Sequence, residues 1–190
     1  DSLNDTRQIR FFASRDDMFW LTRSTASGIA YPHINTLYVV ADGENSPPIK
    51  HELLHLIAML KWGYPHYSST WINEGLATYS ENNCNEYNVA EIYRYLLEKE
   101  MLIPVDSLAT NFYKQPEMIA YHQSAYVVKY LLNKYKLEQF IELWAKGFDS
   151  FQVIYGISFN EMKAELEKVV IDKYPKATEI DWETFKEGCK

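Results

Sequence analysis

A helical apolar repeat that ends before Gly63 constrains the middle of this 190-residue chain more than any other feature. Ser46 is a suitable N-cap for such a helix, and Pro47 stands in the first turn, where its missing N–H costs nothing. The apolar residues that recur at helical spacing are Ile49, Leu53, Ile57 and Leu60. We therefore predict a helix of about four turns between Ser46 and Gly63.

The predicted helix carries an H-E-x-x-H motif, His51-Glu52-Leu53-Leu54-His55. Residues four apart lie about 40° from each other around a helix axis and about 6 Å along it, so the two imidazoles project side by side. Zinc binds imidazole nitrogens, and a catalytic site leaves one position open for water. Glu52 points about 100° away from His51, so it is placed to accept a proton from water instead of binding the metal. The motif thus predicts His51 and His55 as metal ligands and Glu52 as general base.

A third ligand is predicted in the segment Trp71-Ile72-Asn73-Glu74-Gly75-Leu76-Ala77. Glu74 lies early in the next predicted helix, Ile72 to Asn82, and 18 residues separate it from His55. Two antiparallel helices joined by the intervening loop would bring Glu74 to the histidine pair. Three protein ligands would then hold one zinc ion.

This pattern resembles the gluzincin zinc metallopeptidases of clan MA. The 18-residue interval and the Asn-Glu-Gly triplet are most similar to the aminopeptidase-N-like branch, and only the catalytic domain is covered. The resemblance implies one zinc ion and hydrolysis of peptide bonds. It also implies an α+β, thermolysin-like fold whose edge strand binds extended substrate by β-augmentation. On that analogy Thr36 to Ala41 is the edge strand.

The resemblance also implies a tyrosine that hydrogen-bonds the oxyanion of the transition state. Tyr121 begins a segment, Tyr121-His122-Gln123-Ser124, that is similar to the Y-E-K-G-like segment of aminopeptidase-N-like enzymes. We therefore predict Tyr121 as the oxyanion stabiliser, and Tyr126 is the alternative.

One departure from the family pattern bears on specificity. True aminopeptidases have a G-x-M-E-N segment that holds the free amine of the substrate, whereas Gly28-Ile29-Ala30-Tyr31-Pro32 stands at that place here. We therefore expect an endopeptidase in preference to an aminopeptidase. The alternative is a catalytically inactive, zinc-bearing module that binds peptides or proteins on the same scaffold. The intact general base, Glu52, argues against that alternative.

Other polar residues have weaker assignments. Asn73 flanks Glu74, and Glu81 follows seven residues later on the same helix face, where it would orient a ligand imidazole. Glu81 also fits a solvated surface carboxylate. The histidines without partner spacing are interpreted as surface or packing residues, and they are His33, His66 and His122.

The remaining patterns predict a small N-terminal β-sheet, about residues 1–45, followed by a helical part, about 46–190, in one catalytic domain. The predicted strands are Ile9 to Ala13, Gly28 to Tyr31 and Thr36 to Ala41. The further predicted helices are Asp16 to Ser24, Val89 to Met101, Pro116 to Tyr135, Leu137 to Lys146, and one that begins with the capping box of Ser158 and Glu161.

Composition narrows the range of partners. The net charge is −7, from 19 basic and 26 acidic residues, and basic residues do not cluster, so nucleic acid is not an expected partner. No apolar run approaches the roughly 20 residues of a transmembrane helix. Cys84 and Cys189 form either one disulfide of an exported protein or two separate thiols. We expect an exported or cell-surface location in preference to a cytoplasmic one, and no pattern specifies an oligomeric state.

Overall fold

A computed structural model describes residues 6–43 and 46–189. Within these residues the chain divides into two compact units, with the first ending at Gly63 and the second comprising Tyr64–Cys189. The single catalytic domain over residues 1–190 stays a prediction. In the described part of the chain, no helix is both long and apolar enough to cross a membrane.

The first unit contains a three-stranded sheet in the order β1-β3-β2. Its strands are β1 (Gln8–Phe12), β2 (Gly28–Tyr31) and β3 (Thr36–Val40). β3 runs parallel to β1 and antiparallel to β2. The three predicted strands are confirmed to within one residue at each end.

The prediction that Thr36 to Ala41 is the edge strand is wrong, because β3 pairs on both sides and lies at the centre of the sheet. Every residue of β3 is buried. An uninterrupted apolar run such as Leu37-Tyr38-Val39-Val40 suits a strand that is covered on both faces. Among the described strands, β1 and β2 form the edges.

Two helices cover the two faces of this sheet. The helix α1 (Arg15–Thr22) packs Met18 against Tyr38 and Val40 on one face. The helix α2 (Ile49–Trp62) packs Leu56 against the residues of β3 that point the other way, Leu37 and Val39. Side chains alternate along a strand, so each helix contacts one half of β3.

The predicted α2 helix is confirmed, but it begins later than expected. Pro48, not Ser46, is the N-cap, and no side chain caps the first turn. Gly63 ends the helix with φ 80°, a conformation that glycine adopts without steric cost. The start matters little for the motif, because His51 still lies within the first turn.

The second unit is mainly helical in the residues described, with an isolated β-bridge between Cys84 and Tyr87. The predicted helices are confirmed, and three short helices, α5, α8 and α10, were not predicted. The helices are α3 (Thr70–Glu81), α4 (Val89–Glu98), α5 (Val105–Asn111), α6 (Glu117–Lys134), α7 (Leu137–Lys146), α8 (Phe151–Tyr155), α9 (Phe159–Lys173) and α10 (Trp182–Phe185). Short 3-10 turns occur at Pro32–Ile34, Tyr67–Ser69, Phe112–Lys114 and Phe148–Ser150.

Two contacts predicted or considered from the sequence are present in this unit. The predicted capping box is confirmed, since the Ser158 side chain accepts from the backbone N–H of Glu161 at the start of α9. Cys84 and Cys189 form a disulfide, which decides between the two interpretations of the cysteines. The bond ties the segment after α10 to the loop after α3.

Next to this disulfide, burial lowers the pKa of the His122 imidazole to about 4, so this histidine is neutral at physiological pH.

Candidate metal centre

The helix α2 presents its two histidines as a pair. The ring centroids of His51 and His55 lie 4.7 Å apart, and their planes are inclined by 79°. His55 is buried, and His51 is half-buried. Leu56 faces the sheet, so the contact that anchors α2 in the first unit leaves the imidazole pair together on another face. The structure thus supplies two adjacent nitrogen donors, as the i, i+4 spacing predicts.

Glu52 lies on the same helix beneath the start of β2, and only 7% of its surface is exposed. A Cβ atom added to Gly28 would lie 2.5 Å from Cγ of Glu52 and 2.6 Å from its Oε1. Carbon atoms in contact are normally about 3.5–4.0 Å apart, so a larger residue here would displace this carboxylate from its present position. Gly28 is therefore a positioning residue that sequence reasoning missed. The strand β3 stands between Gly28 and the motif in the sequence, so no local pattern relates Gly28 to Glu52. The contact becomes evident only when β2 lies over α2.

Glu74 is held by contacts within the second unit. It is buried on α3, as is its neighbour Asn73. The Tyr113 hydroxyl donates a hydrogen bond of 2.8 Å to Oε1 of Glu74. A hydrogen bond of this kind orients a carboxylate and is typical of groups that support a metal ligand.

Tyr113 is a second residue that sequence reasoning missed. It lies in the 3-10 turn after α5, a helix that was not predicted, and 71% of its surface is exposed. No spacing relates it to Glu74, from which it is 39 residues distant. An exposed aromatic side chain with its hydroxyl on a buried carboxylate indicates a specific role, because nothing in simple packing requires that hydrogen bond.

The glycine of the Asn-Glu-Gly triplet is explained by packing between α3 and α6. A Cβ atom on Gly75 would lie 2.7 Å from the carbonyl carbon and oxygen of Ser124, and this neighbour is backbone that cannot turn away. Gly75 therefore allows α6 to pack directly against the helix that carries Glu74. That contact fixes the position of Tyr121, three residues earlier on α6.

The two tyrosines considered for the oxyanion have different surroundings. Tyr121 is half-buried, and its ring centroid lies 5.0 Å from that of Phe112. Tyr126 lies in the core against Tyr93, with ring centroids 4.7 Å apart, and burial raises its pKa to about 12. The partly exposed Tyr121 is the more accessible of the two. Its assignment to the oxyanion stays a prediction.

Glu81 is the last residue of α3 and is exposed, whereas Asn73 is buried in the same helix. Two turns of helix, about 10 Å, separate Glu81 from Glu74. Exposure and distance favour the solvated-carboxylate interpretation of Glu81.

The donor types fit zinc. Imidazole nitrogen with carboxylate oxygen is a ligand set of catalytic zinc sites, whereas calcium and magnesium prefer oxygen ligands alone. The paired rings of α2 already have the adjacency that a shared ion requires.

Comparison with known proteins gives one finding. A family profile described as the peptidase MA superfamily matches residues 13–171, which include the motif on α2, Glu74 and Tyr121. No curated protein and no solved structure gave a significant match.

Proposed function

Because the chain belongs to the peptidase MA superfamily, we propose that it is a zinc metallopeptidase of the gluzincin type that hydrolyses peptide bonds. The observation that carries the proposal is the helix α2, on which His51 and His55 lie side by side with Glu52 between them in sequence. This arrangement lets the two histidines bind one metal ion while the adjacent glutamate acts as a base.

The proposed ligands of one zinc ion are His51, His55 and Glu74. A bound zinc ion supplies Lewis acidity, which lowers the pKa of water and polarises a carbonyl group. Tyr113 holds one oxygen of Glu74 and so limits the rotation of that carboxylate. The positions of both imidazoles are set by α2, whose apolar residues are packed against the sheet.

Glu52 is the proposed general base. It accepts a proton from the attacking water and then delivers it to the leaving amine. Burial beside the backbone of β2 restricts the carboxylate to few rotamers, so little conformational entropy is lost when the substrate arrives. Tyr121 is proposed to donate a hydrogen bond to the oxyanion.

β2 replaces β3 as the proposed substrate-binding strand. Among the described residues β2 pairs only with β3, so its outer edge offers backbone N–H and C=O groups to an extended peptide. Glu52 lies directly against Gly28 of this strand. A peptide bound along β2 would therefore pass close to the general base.

Endopeptidase activity is proposed over aminopeptidase activity. The sequence Gly28-Ile29-Ala30-Tyr31 forms β2 and has no acidic residue to hold a free amine. The inactive binding module gains no support from the family match, which indicates a protease-type function. The disulfide between Cys84 and Cys189 supports the proposal of an exported or cell-surface location, because such bonds persist in oxidising compartments.

The test uses two sets of fluorogenic peptides, one with both termini blocked and one with a free amino-terminal residue as the reporter. We expect cleavage of internal bonds in the blocked set, loss of turnover after chelation, and recovery when zinc is returned. Release of amino-terminal residues alone would make the protein an aminopeptidase. If neither set is cleaved by the zinc-loaded chain, the peptidase proposal is wrong.

A further inference from the structure

A second cluster of metal-ligating side chains lies within the second unit. Cys84 follows α3, His122 lies on α6, and Cys189 lies after α10. The sulfur atoms and a ring nitrogen of these residues all lie within 4.8 Å of one another. The two cysteines are joined as a disulfide, and Sγ of Cys189 is 3.9 Å from Nε2 of His122. The histidine was interpreted from sequence as a surface or packing residue.

The surroundings of His122 are those of a ligand. Its surface is only 3% exposed, and Nδ1 is 2.8 Å from the carbonyl oxygen of Met118. Because a carbonyl only accepts, Nδ1 carries the proton and Nε2 presents its lone pair to the disulfide. A disulfide has no hydrogen to donate. Histidines that bind metals commonly use one nitrogen in this way for a backbone carbonyl and the other for the ion.

We propose that reduction of the disulfide converts Cys84, His122 and Cys189 into a binding site for a thiolate-preferring ion, namely Zn²⁺. A dithiol reductant supplies two electrons and two protons, the S–S bond breaks, and the reductant becomes a disulfide. Each thiol then releases one proton as its sulfur binds the ion. Two thiolates and one neutral imidazole neutralise the ion and leave a fourth position to water.

The main movement required is a separation of the two sulfur atoms, which reduction of the disulfide releases. In a tetrahedral zinc site the sulfur atoms are about 3.8 Å apart, and sulfur and nitrogen about 3.5 Å, from the usual bond lengths. The sulfur–nitrogen distance of 3.9 Å is already close to that value. Cys189 is exposed near the end of the described chain and has room to move, while backbone hydrogen bonds to Tyr87 hold Cys84. In either redox state the segment after α10 would stay attached to the loop after α3.

The inference is tested on the full chain by titration with Co²⁺, whose thiolate charge-transfer absorption reports sulfur ligands specifically. The chain is reduced with a dithiol, which is removed under anaerobic conditions before the metal is added. Because the proposed site on α2 would also bind Co²⁺, total uptake is compared between the reduced and the oxidised chain. We expect the reduced chain to bind one more ion than the oxidised chain, with the thiolate absorption saturating at that ion, displacement by Zn²⁺, and no such absorption from the oxidised chain. Binding at the proposed ligands on α2 contributes no thiolate signal, so the result is independent of the peptidase proposal.

Three variants identify the ligands. Cys189→Ser should abolish the two-thiolate spectrum. His122→Gln should weaken binding on the order of 100-fold, because it removes one of the ligands that together supply the free energy of zinc binding. His33→Gln, which alters an exposed histidine, is the matched control and should bind as the wild type does. Absence of the absorption from the reduced wild-type chain, or unchanged affinity in His122→Gln, would overturn the proposal.

One measurement needs no variant. X-ray absorption of the reduced, zinc-loaded chain averages over both proposed zinc sites and should show sulfur ligands at about 2.3 Å, two per chain, in addition to nitrogen at about 2.0 Å. A spectrum without sulfur would overturn the proposal even if His122→Gln failed to fold.

Discussion

Replacing Gly28 by alanine tests how the strand β2 positions the general base. The new Cβ atom would lie 2.5 Å from Cγ, 2.6 Å from Oε1 and 2.8 Å from Cδ of Glu52. To restore contacts of about 3.5 Å, the carboxylate must move by about 1 Å. A misplacement of that size can lower a rate about 100-fold. Because the side chain yields more easily than the backbone, the fold should survive and the chemistry should suffer.

The assay compares kcat for a blocked fluorogenic peptide between the wild type and Gly28→Ala, with zinc content and thermal unfolding measured on the same samples. We expect kcat to fall about 100-fold, with one zinc per chain and little change in melting temperature. Ser27→Ala, one residue earlier, is the control and should keep the wild-type rate. In a Glu52→Gln background, Gly28→Ala should lower the rate no further. A wild-type kcat in Gly28→Ala would show that β2 does not position the carboxylate of Glu52.

Three further predictions address the rest of the structure. Tyr113→Phe removes the hydrogen bond to Glu74 and should weaken zinc binding roughly 10- to 100-fold, measured by competition with a chromophoric chelator, while the circular dichroism spectrum stays unchanged. Gly75→Ala forces a methyl group into the backbone of α6 and should lower the free energy of unfolding by about 1–3 kcal/mol in urea, so an unchanged midpoint would contradict the packing described. Replacing both Cys84 and Cys189 by serine opens a cross-link with a sequence separation of 105 residues and should lower the free energy of unfolding by about 3–5 kcal/mol, with a loss below 1 kcal/mol counting against it.

The sequence predicts those features that depend on local patterns. The α2 helix follows from apolar spacing, and the adjacency of His51 and His55 follows from helix geometry once that helix exists. The capping box at Ser158 is equally local. In each case the interacting residues are within four positions of one another, so the sequence alone contains the geometry.

Features that depend on pairing between distant segments cannot be predicted from local sequence patterns. The prediction of β3 as an edge strand was wrong because the order of strands depends on which of them pair. The unbroken apolar run of β3 is nevertheless typical of a central strand. Tyr113 reaches Glu74 through a short, unpredicted turn, and Gly28 meets Glu52 only through the packing of β2. The two cysteines are far apart in sequence, so spacing could not decide whether they pair.

In the proposed mechanism, the carboxylate of Glu52 transfers protons at a zinc site but is not itself a zinc ligand. The most direct measurement is zinc content together with peptide cleavage for Glu52→Gln, which keeps the shape of the side chain and removes its basicity. We expect one zinc per chain, as in the wild type, and cleavage slower by roughly 10³-fold. Undiminished cleavage by the zinc-loaded variant would contradict the proposed mechanism.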